Sequence, residues 1–497
     1  MASENTNILS LFKPTIQLDE IAIRDVESDA QDIKVSDDHA RPSKIVGNIA
    51  PYVKVNGYVF DHNDILDMSL FETGFLPTMT ITIRDSKGVF KSAYFPKTKP
   101  VLGLYIMSKH DKLKCVRCDF LIRGIFSDSS IDPMDQYAGK NMELTFDCVL
   151  MVPNLYDNKP KSYPGMTSYD ALRDVATEMQ LGFATNENYT NDKMTWLKPL
   201  TSKVNFIQHV MVRAFKDDSS FYHGFIDKYY HLNFVNMSTA LAEDGDLSKV
   251  YNKLITYADI YESDGDAQQS AEPADLVLTN FSKMAKSDAF IYEYRPETSS
   301  GGKLLKSGYE RSVSYYDQQL TRNPATNIVS LDVRPLTTTL LPGKSDESDD
   351  RMKKFSSNLS YGEWCGIDYN NGHDNFNYAQ IQNEHNNNEV RKITMQIKMK
   401  GMNLNLTRGM RVPVIIIREN ASETATDFES RIPEEDAARN DTEKSDELGI
   451  IKDKWLSGFY VVDTITYMYD ARSGFMTEAS LLRMNWNQPE AVMKQKK

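Results

Sequence analysis

Four cysteines in a chain of 497 residues are too few for a disulfide framework. Cys115 and Cys118 form a lone CxxC. The pattern sits in an alternating strand, where an odd spacing sends two side chains to opposite faces. Neither a second CxxC nor ligand spacing at Cys148 or Cys365 completes a zinc set. Long apolar runs are also missing. The longest aliphatic stretch lies around Val412 to Ile417, far short of the roughly 18 residues that a membrane helix needs. The start, Met1-Ala-Ser-Glu-Asn-Thr-Asn, has no basic n-region and no apolar h-region, so synthesis in the cytosol is expected. Basic charge is scarce as well. Lys and Arg number 57 against 70 Asp and Glu, a formal net charge of −13, which argues against binding a phosphate backbone. The one basic cluster, Lys494 to Lys497, reads as a solvated tail.

Catalytic motifs are absent too. Pro342-Gly-Lys-Ser345 ends like a phosphate loop, but Thr338 stands where the required earlier glycine belongs, so it reads as a surface turn. No G-x-S-x-G and no H-E-x-x-H occurs. The eight histidines are scattered. His373 and His385 read as solvated loop residues, and His209 as a packing or capping residue on a helix. Acid pairs such as Glu434-Glu435 are too common to mark a glycosidase. Tyr229-Tyr230 offers stacking surface, although sheet packing is the commoner fate of such pairs. We therefore expect no catalytic residues, no cofactor site and no metal site.

Hydrophobic content of 40% and aromatic content of 10% are ample for packed cores, and the length predicts about three or four domains. Residues 1–45 are polar with scattered apolar knobs, which suits either a disordered tail or an arm that orders on a neighbouring chain. Residues 46–153 read as β. Tyr52-Val-Lys-Val-Asn-Gly-Tyr-Val-Phe60 alternates around an Asn-Gly turn, and Ile65 to Phe71 and Met79 to Arg84 follow. Many short strands with turns between them indicate a barrel or a strongly curved sheet.

Residues 154–257 read as an α+β module. Thr167 with Asp170 resembles a capping box before Ala171, Leu172, Val175, Ala176 and Met179 at helical spacing. A second helix starts after Ser202, with Phe206, Ile207, Val210, Met211 and Ala214 as its stripe. Phe221 to Phe234 then returns to β with a turn at Asp227-Lys228. Residues 258–389 read as mixed and loop-rich, including the Asn- and His-rich run from Asn370 to Asn388. A final β domain covers 390–497. An acidic insertion at 419–453 interrupts it, with the composition of a solvated loop.

Two distant stretches repeat one pattern. Val101–Met107, Cys118–Phe126 and Asn141–Leu150 give strand, loop, strand, turn, strand. Met410–Ile417, Gly458–Tyr467 and Gly474–Arg483 give it again. Two similar domains in one chain suit a protein that builds a ring of higher symmetry than its subunit count. That points to an assembly part rather than a catalyst.

The final domain is the most specific part. Asn405-Leu-Thr-Arg-Gly-Met-Arg-Val-Pro-Val414, Gly458 to Asp470, Gly474-Phe-Met-Thr477 and Ser480-Leu-Leu-Arg483 resemble the tube-forming domain of phage baseplate hub proteins. Late control protein D and the N-terminal part of type VI secretion spike proteins share that fold. Lys54-Val-Asn-Gly57 through Asp85 agrees with the resemblance, as does the run from Tyr169 through Trp196, Phe206 and Phe221 to Asn236.

The resemblance implies an α+β, mainly β chain with two tube-forming, barrel-like domains separated by the α+β and loop-rich domains. It implies a homotrimer in the virion tail baseplate, a six-fold-like ring that joins the hexameric tail tube to a trimeric central spike. Implied partners are the tail tube or tube-initiator protein, the central spike protein, baseplate wedge proteins and the tape measure protein. DNA would pass only in transit, with no stable membrane association. The chain shows no lysozyme-like segment and no β-helix tail, so the spike is expected to be a separate polypeptide. An acidic bore that repels DNA is a further expectation, from net charge alone. A tail-associated murein hydrolase and a glycan-binding tail component are the alternatives.

Overall fold

The computed structural model describes residues 9–12, 49–55, 57–60, 62–85, 100–108, 116–128, 142–242, 247–254, 277–285, 287, 289–298, 311–316, 328–333, 357–361, 372–391, 393–418, 451–453 and 455–484. In chain order the strands begin with β1 (Leu9–Phe12), β2 (Ile49–Val55), β3 (Tyr58–Phe60), β4 (Ile65–Glu72), β5 (Thr78–Asp85), β6 (Val101–Ser108), β7 (Val116–Asp128) and β8 (Met142–Leu150). The α+β module supplies β9 (Lys161–Met166), α1 (Ser168–Glu178), β10 (Gly182–Thr185), β11 (Met194–Lys198), α2 (Lys203–Val212), β12 (Tyr222–Ile226), β13 (His231–Asn236) and α3 (Met237–Leu241). Then come β14 (Leu278–Thr279), β15 (Ile291–Thr298), β16 (Arg311–Tyr316), β17 (Ile328–Val333), β18 (Ser357–Tyr361) and α4 (Phe376–Val390). The last strands are β19 (Ile393–Lys400), β20 (Arg411–Ile415), β21 (Ile417–Arg418), β22 (Ile451–Lys452), β23 (Gly458–Asp470) and β24 (Gly474–Leu482).

The protein is α+β and mainly β, as the sequence implies. Eleven strands run in one order, β15-β19-β24-β23-β4-β5-β8-β7-β6-β2-β3, and β20 with β14 joins at β23. The sheet contains one five-strand unit twice. The first copy is β4-β5-β8-β7-β6 and the second β15-β19-β24-β23-β20, antiparallel at every step. The chain visits corresponding strands in the same order.

The irregularities repeat as well. β7 slips register between Ile122 and Gly124, and β23 between Val462 and Thr464. Reading across the sheet from the residue before each slip gives Ile122–Cys148–Met79–Leu70 in one copy. The other copy gives Val462–Leu481–Met395–Pro296. A second slip begins at Ile65 and at Ile291, five residues before Leu70 and before Pro296 respectively. A bulge adds one unpaired residue and bends its strand. Two bulges in matched places therefore give both copies the same curvature.

Alternation sets which face is dry. On β5, Met79, Ile81, Ile83 and Asp85 are buried while Thr78, Thr80, Thr82 and Arg84 stay partly exposed. On β19, Ile393, Met395, Ile397 and Met399 are buried in the same way. The largest hydrophobic cluster runs through both copies and into the α+β module. Within that module Thr167 caps α1 by accepting from Asp170 N, and Ser202 caps α2 by accepting from Asn205 N. These are the cap residues that the sequence indicates. β2 pairs antiparallel with β3, and Gly57 just before β3 has φ +86°.

Three segments differ from their sequence reading. The Asn-rich run is not a loop: residues 376–390 form α4, packed against α2 and β12. Its low apolar periodicity hid it, because asparagine side chains take the place of hydrophobic contacts. Asn383 is buried, accepts from Tyr222 N at 2.9 Å and donates to Val212 O and Ala214 O at 3.0 and 2.9 Å. In the arm, residues 9–12 form β1, which pairs antiparallel with β10 of the same chain, so this part is not a free tail; the rest of residues 1–45 lies outside the described residues. The second β copy begins with β15, inside the 258–389 stretch, and an insertion carrying the β17-β16-β18 sheet and α4 separates it from β19. The acidic insertion lies almost wholly outside the described residues, but β21 and β22 pair antiparallel at its two ends.

Candidate assembly surface

The two copies meet where β23 pairs with β4 through Ile465–Glu72, Thr466–Phe71, Tyr467–Leu70 and Met468–Ser69. A turn from the α+β module locks this seam. Between β12 and β13, Asp227 to Tyr230 reverses the chain. Asp227 Oδ1 accepts from Tyr229 N and His231 N, both at 2.9 Å, and Tyr230 adopts φ +61°. Such a conformation is uncommon for a bulky residue and persists only where surroundings over-determine it. Here the Tyr230 hydroxyl reaches β7, accepting from Asp119 N at 2.8 Å.

Lys228 is fully buried in the seam. Its backbone N–H donates to Glu72 Oε1 at 2.9 Å, and its Nζ approaches Glu72 Oε2 at 3.3 Å, Tyr467 Oη at 3.1 Å and Leu406 O at 3.4 Å. Burial alone would lower the ammonium's pKa. The opposing Glu72 carboxylate outweighs it and holds the pKa well above the ordinary value. Cys118 Sγ donates to Lys228 O at 3.1 Å, and burial pushes its thiol well up. One turn thus touches β4, β7 and β23 at once.

A second node lies nearby. Buried Arg408 bridges Gly74 O in the first copy and Asp463 O in the second, and its Nη2 meets His223 Nε2 at 3.0 Å. A guanidinium only donates, so His223 Nε2 is the acceptor and the imidazole is neutral. Burial, then the Arg408 charge, pulls its pKa down to about 3. Asp463 occupies the bulge of β23 and receives both Arg391 Nε and Nη2, at 3.1 and 3.0 Å. Burial would raise that carboxyl's pKa. The Arg391 hydrogen bonds outweigh it, and the pKa lies below the ordinary value.

The face of the sheet opposite the core mixes polar side chains with apolar ones such as Phe71, Leu121, Phe126, Val149 and Met468. It carries Ser69, Thr78, Thr80, Thr82 and Thr145 from the first copy, and Thr394, Gln396, Thr464 and Thr466 from the second. Its charges are matched. Arg84 pairs with Glu143 at 3.2 Å and Arg123 with Asp147 at 2.6 Å. Lys398 lies 3.1 Å from Glu293 and 3.6 Å from Glu478. Exposed pairs of this kind add little stability. They do prevent a field of one sign, so the acidic bore expected from net charge gains no support from this face.

The residues singled out in the sequence are mostly structural. Cys118 and Cys148 are free, buried thiols, and Cys115 and Cys365 lie outside the described residues. Tyr229 and Tyr230 serve the seam, with the Tyr229 hydroxyl donating to Leu404 O at 2.9 Å. His209 packs near Phe376 and meets Arg213 Nη1 at 3.0 Å. His373 and His385 are not solvated loop histidines: His385 is buried on α4, and His373 lies against Trp196 and Phe376. Pro342 to Ser345 and Glu434-Glu435 fall outside the described residues. Among the described residues no group of three His, Cys, Asp or Glu could hold a metal ion, and no helix is long and apolar enough to cross a membrane. Sequence reading missed Lys228, Glu72, Arg408 and Asp463. A buried ion pair joining residues so far apart in the chain leaves no local pattern.

No protein-family model matches the chain, and no curated protein matches it. Its structural neighbours are phage tail proteins and type VI secretion proteins. It is similar to the tail protein from Neisseria meningitidis MC58, at 13% identity over 88% of this chain and 96% of that one, with a TM-score of 0.45. It is similar to the 43 kDa tail protein of prophage MuSo2 from Shewanella oneidensis, at 8% identity over 88% and 98%, with a TM-score of 0.44. A third is the E. coli c3393 protein, a type VI secretion component described as similar to the T4 tail proteins gp27 and gp5. That match has 9% identity over 88% and 80%, with a TM-score of 0.38. Likenesses this distant carry no argument about function.

Proposed function

We propose that this chain is a structural subunit of a contractile-tail baseplate hub, three copies of which close a ring of six β units around a bore. One observation carries the reading: a five-strand unit occurs twice, with the same strand order and the same two bulges, fused edge to edge in one sheet. A chain with two such units lets a trimer present six similar ones, which suits a joint between a hexameric tail tube and a trimeric central spike. The threonine-bearing face with its paired charges fits the wall of a channel through which DNA slides. The tail tube or tube-initiator protein, the spike, the wedge proteins and the tape measure protein are the partners this role requires. It needs no catalytic residue, cofactor or metal.

Native mass spectrometry of the purified chain, alone and with its spike, tests this reading together with electron-microscopic class averages. A trimer with a six-lobed ring and a central hole is the expected result. A chain that stays monomeric in both samples refutes it. Clearing of cell-wall material in a zymogram, dependent on particular Asp or Glu residues, would replace it with the murein hydrolase reading.

A further inference from the structure

The internal seam pairs one edge of β23 with two partners in succession: β20 along residues 458–461 and β4 along residues 465–470. The matching strand β7 has only the first of these. β6 covers its residues 116–121, and beyond Ile122 that edge has no strand partner among the described residues. At the far end of the sheet, β15 corresponds to β4 and likewise leaves its outer edge unpaired among the described residues. Each copy of the chain therefore ends in the two halves of the seam it already contains once.

Exposure follows the same logic. Ile465, in the seam, is 0% exposed, whereas its counterpart Ile125 is 37% exposed and the next residue, Phe126, is 64% exposed. On β4, Leu70 and Met68 are both fully buried, while the corresponding Pro296 and Tyr294 on β15 are exposed and half-buried. A long unpaired edge with large apolar side chains is an aggregation hazard unless something covers it.

Resting on the hub reading, we propose that β7 of one copy pairs antiparallel with β15 of a second copy, head to tail, in the register of the internal seam. Bulge matching equates Ile465 with Ile125 and Glu72 with Thr298. The pairs are then Ile125–Thr298, Phe126–Glu297, Ser127–Pro296 and Asp128–Arg295. Arg295, which lies 3.3 Å from Glu297 in the single chain, is largely exposed. Pro296 removes one donor from its row, so this edge tolerates fewer wrong partners than a fully armed strand would. One element of the seam is not duplicated. Thr298 stands where Glu72 binds Lys228, so the joint between copies lacks the buried ion pair that locks the joint within a copy. The internal seam is permanent and the external one assembles. A head-to-tail contact of this kind closes into a ring when its rotation permits.

Two double-cysteine variants test the register: Ile125→Cys with Thr298→Cys, and Phe126→Cys with Glu297→Cys. Directly opposed residues alternate between close and wide pairs, so at least one variant offers disulfide geometry. Ile125→Cys with Glu297→Cys places the thiols on opposite faces and serves as the control. Under mild oxidation we expect a covalent trimer as the end species of at least one matched pair, and none from the control or the single variants. A chain that is trimeric by mass but never cross-links in a matched pair overturns the register and leaves the hub reading standing. Covalent dimers alone, or a ladder continuing past three, overturn head-to-tail closure. A chain that is monomeric by mass and gives no cross-link overturns both.

Discussion

Replacing Lys228 with methionine is the sharpest probe of the seam. Methionine keeps the length and apolar stem of lysine, so little cavity forms and the loss is electrostatic. Glu72, itself only 3% exposed, keeps the hydrogen bond from the backbone N–H of residue 228 but loses its cation. The Tyr467 hydroxyl retains Leu406 O at 3.0 Å. Stranding a buried charge typically costs about 3–5 kcal/mol, whereas replacing both partners by apolar or neutral groups is often nearly neutral. We therefore expect Lys228→Met to lose about 3–5 kcal/mol, and Lys228→Met with Glu72→Gln to recover most of that. The assay is urea unfolding at fixed protein concentration, followed by tryptophan fluorescence, because association would shift the apparent stability. Hydrogen exchange should locate the new opening at β4 and β23. A loss under about 1 kcal/mol in the single variant would refute the argument, as would a double variant no better than the single.

Three further outcomes are expected. Asp463→Asn should destabilise the fold at neutral pH by about 1–3 kcal/mol; because the native carboxyl's pKa is depressed, its contribution is present above pH ~4 and lost as pH falls through the folded value, so wild type and variant should converge in acid melts. His223 is neutral when folded, with a pKa of about 3 against roughly 6.5 unfolded, so its share of stability is full above pH ~6.5 and drains as pH falls toward 3. His223→Gln should flatten the stability profile in that window; an unchanged slope would refute the neutral tautomer assigned beside Arg408. Asn383→Leu should cost about 2–4 kcal/mol in thermal or urea melts, since it strands Tyr222 N, Val212 O and Ala214 O around α4. Near-wild-type stability would show that apolar contact suffices there.

Local physics was legible in the sequence. Alternation marks β5 and β19 because one face of each is dry, and Thr167 and Ser202 mark helix starts because bare N–H groups need acceptors. The repeated strand pattern shows the duplication for its last three strands, which keep their order and alternation even though the acidic insertion separates β20 from β23. The tertiary structure alone decided the rest. β15 belongs to the second copy only through pairing with β19 across about a hundred residues, and its alternation is too weak to announce it. The Asn-rich segment is a buried helix because its amides satisfy backbone groups of the α+β module, a match that exists only once both are folded. The seam joins Glu72, Lys228 and Tyr467 from three remote parts of the chain. Periodicity records what each residue faces, core or water. Which strand lies beside which is settled by edges and buried charges finding each other in space.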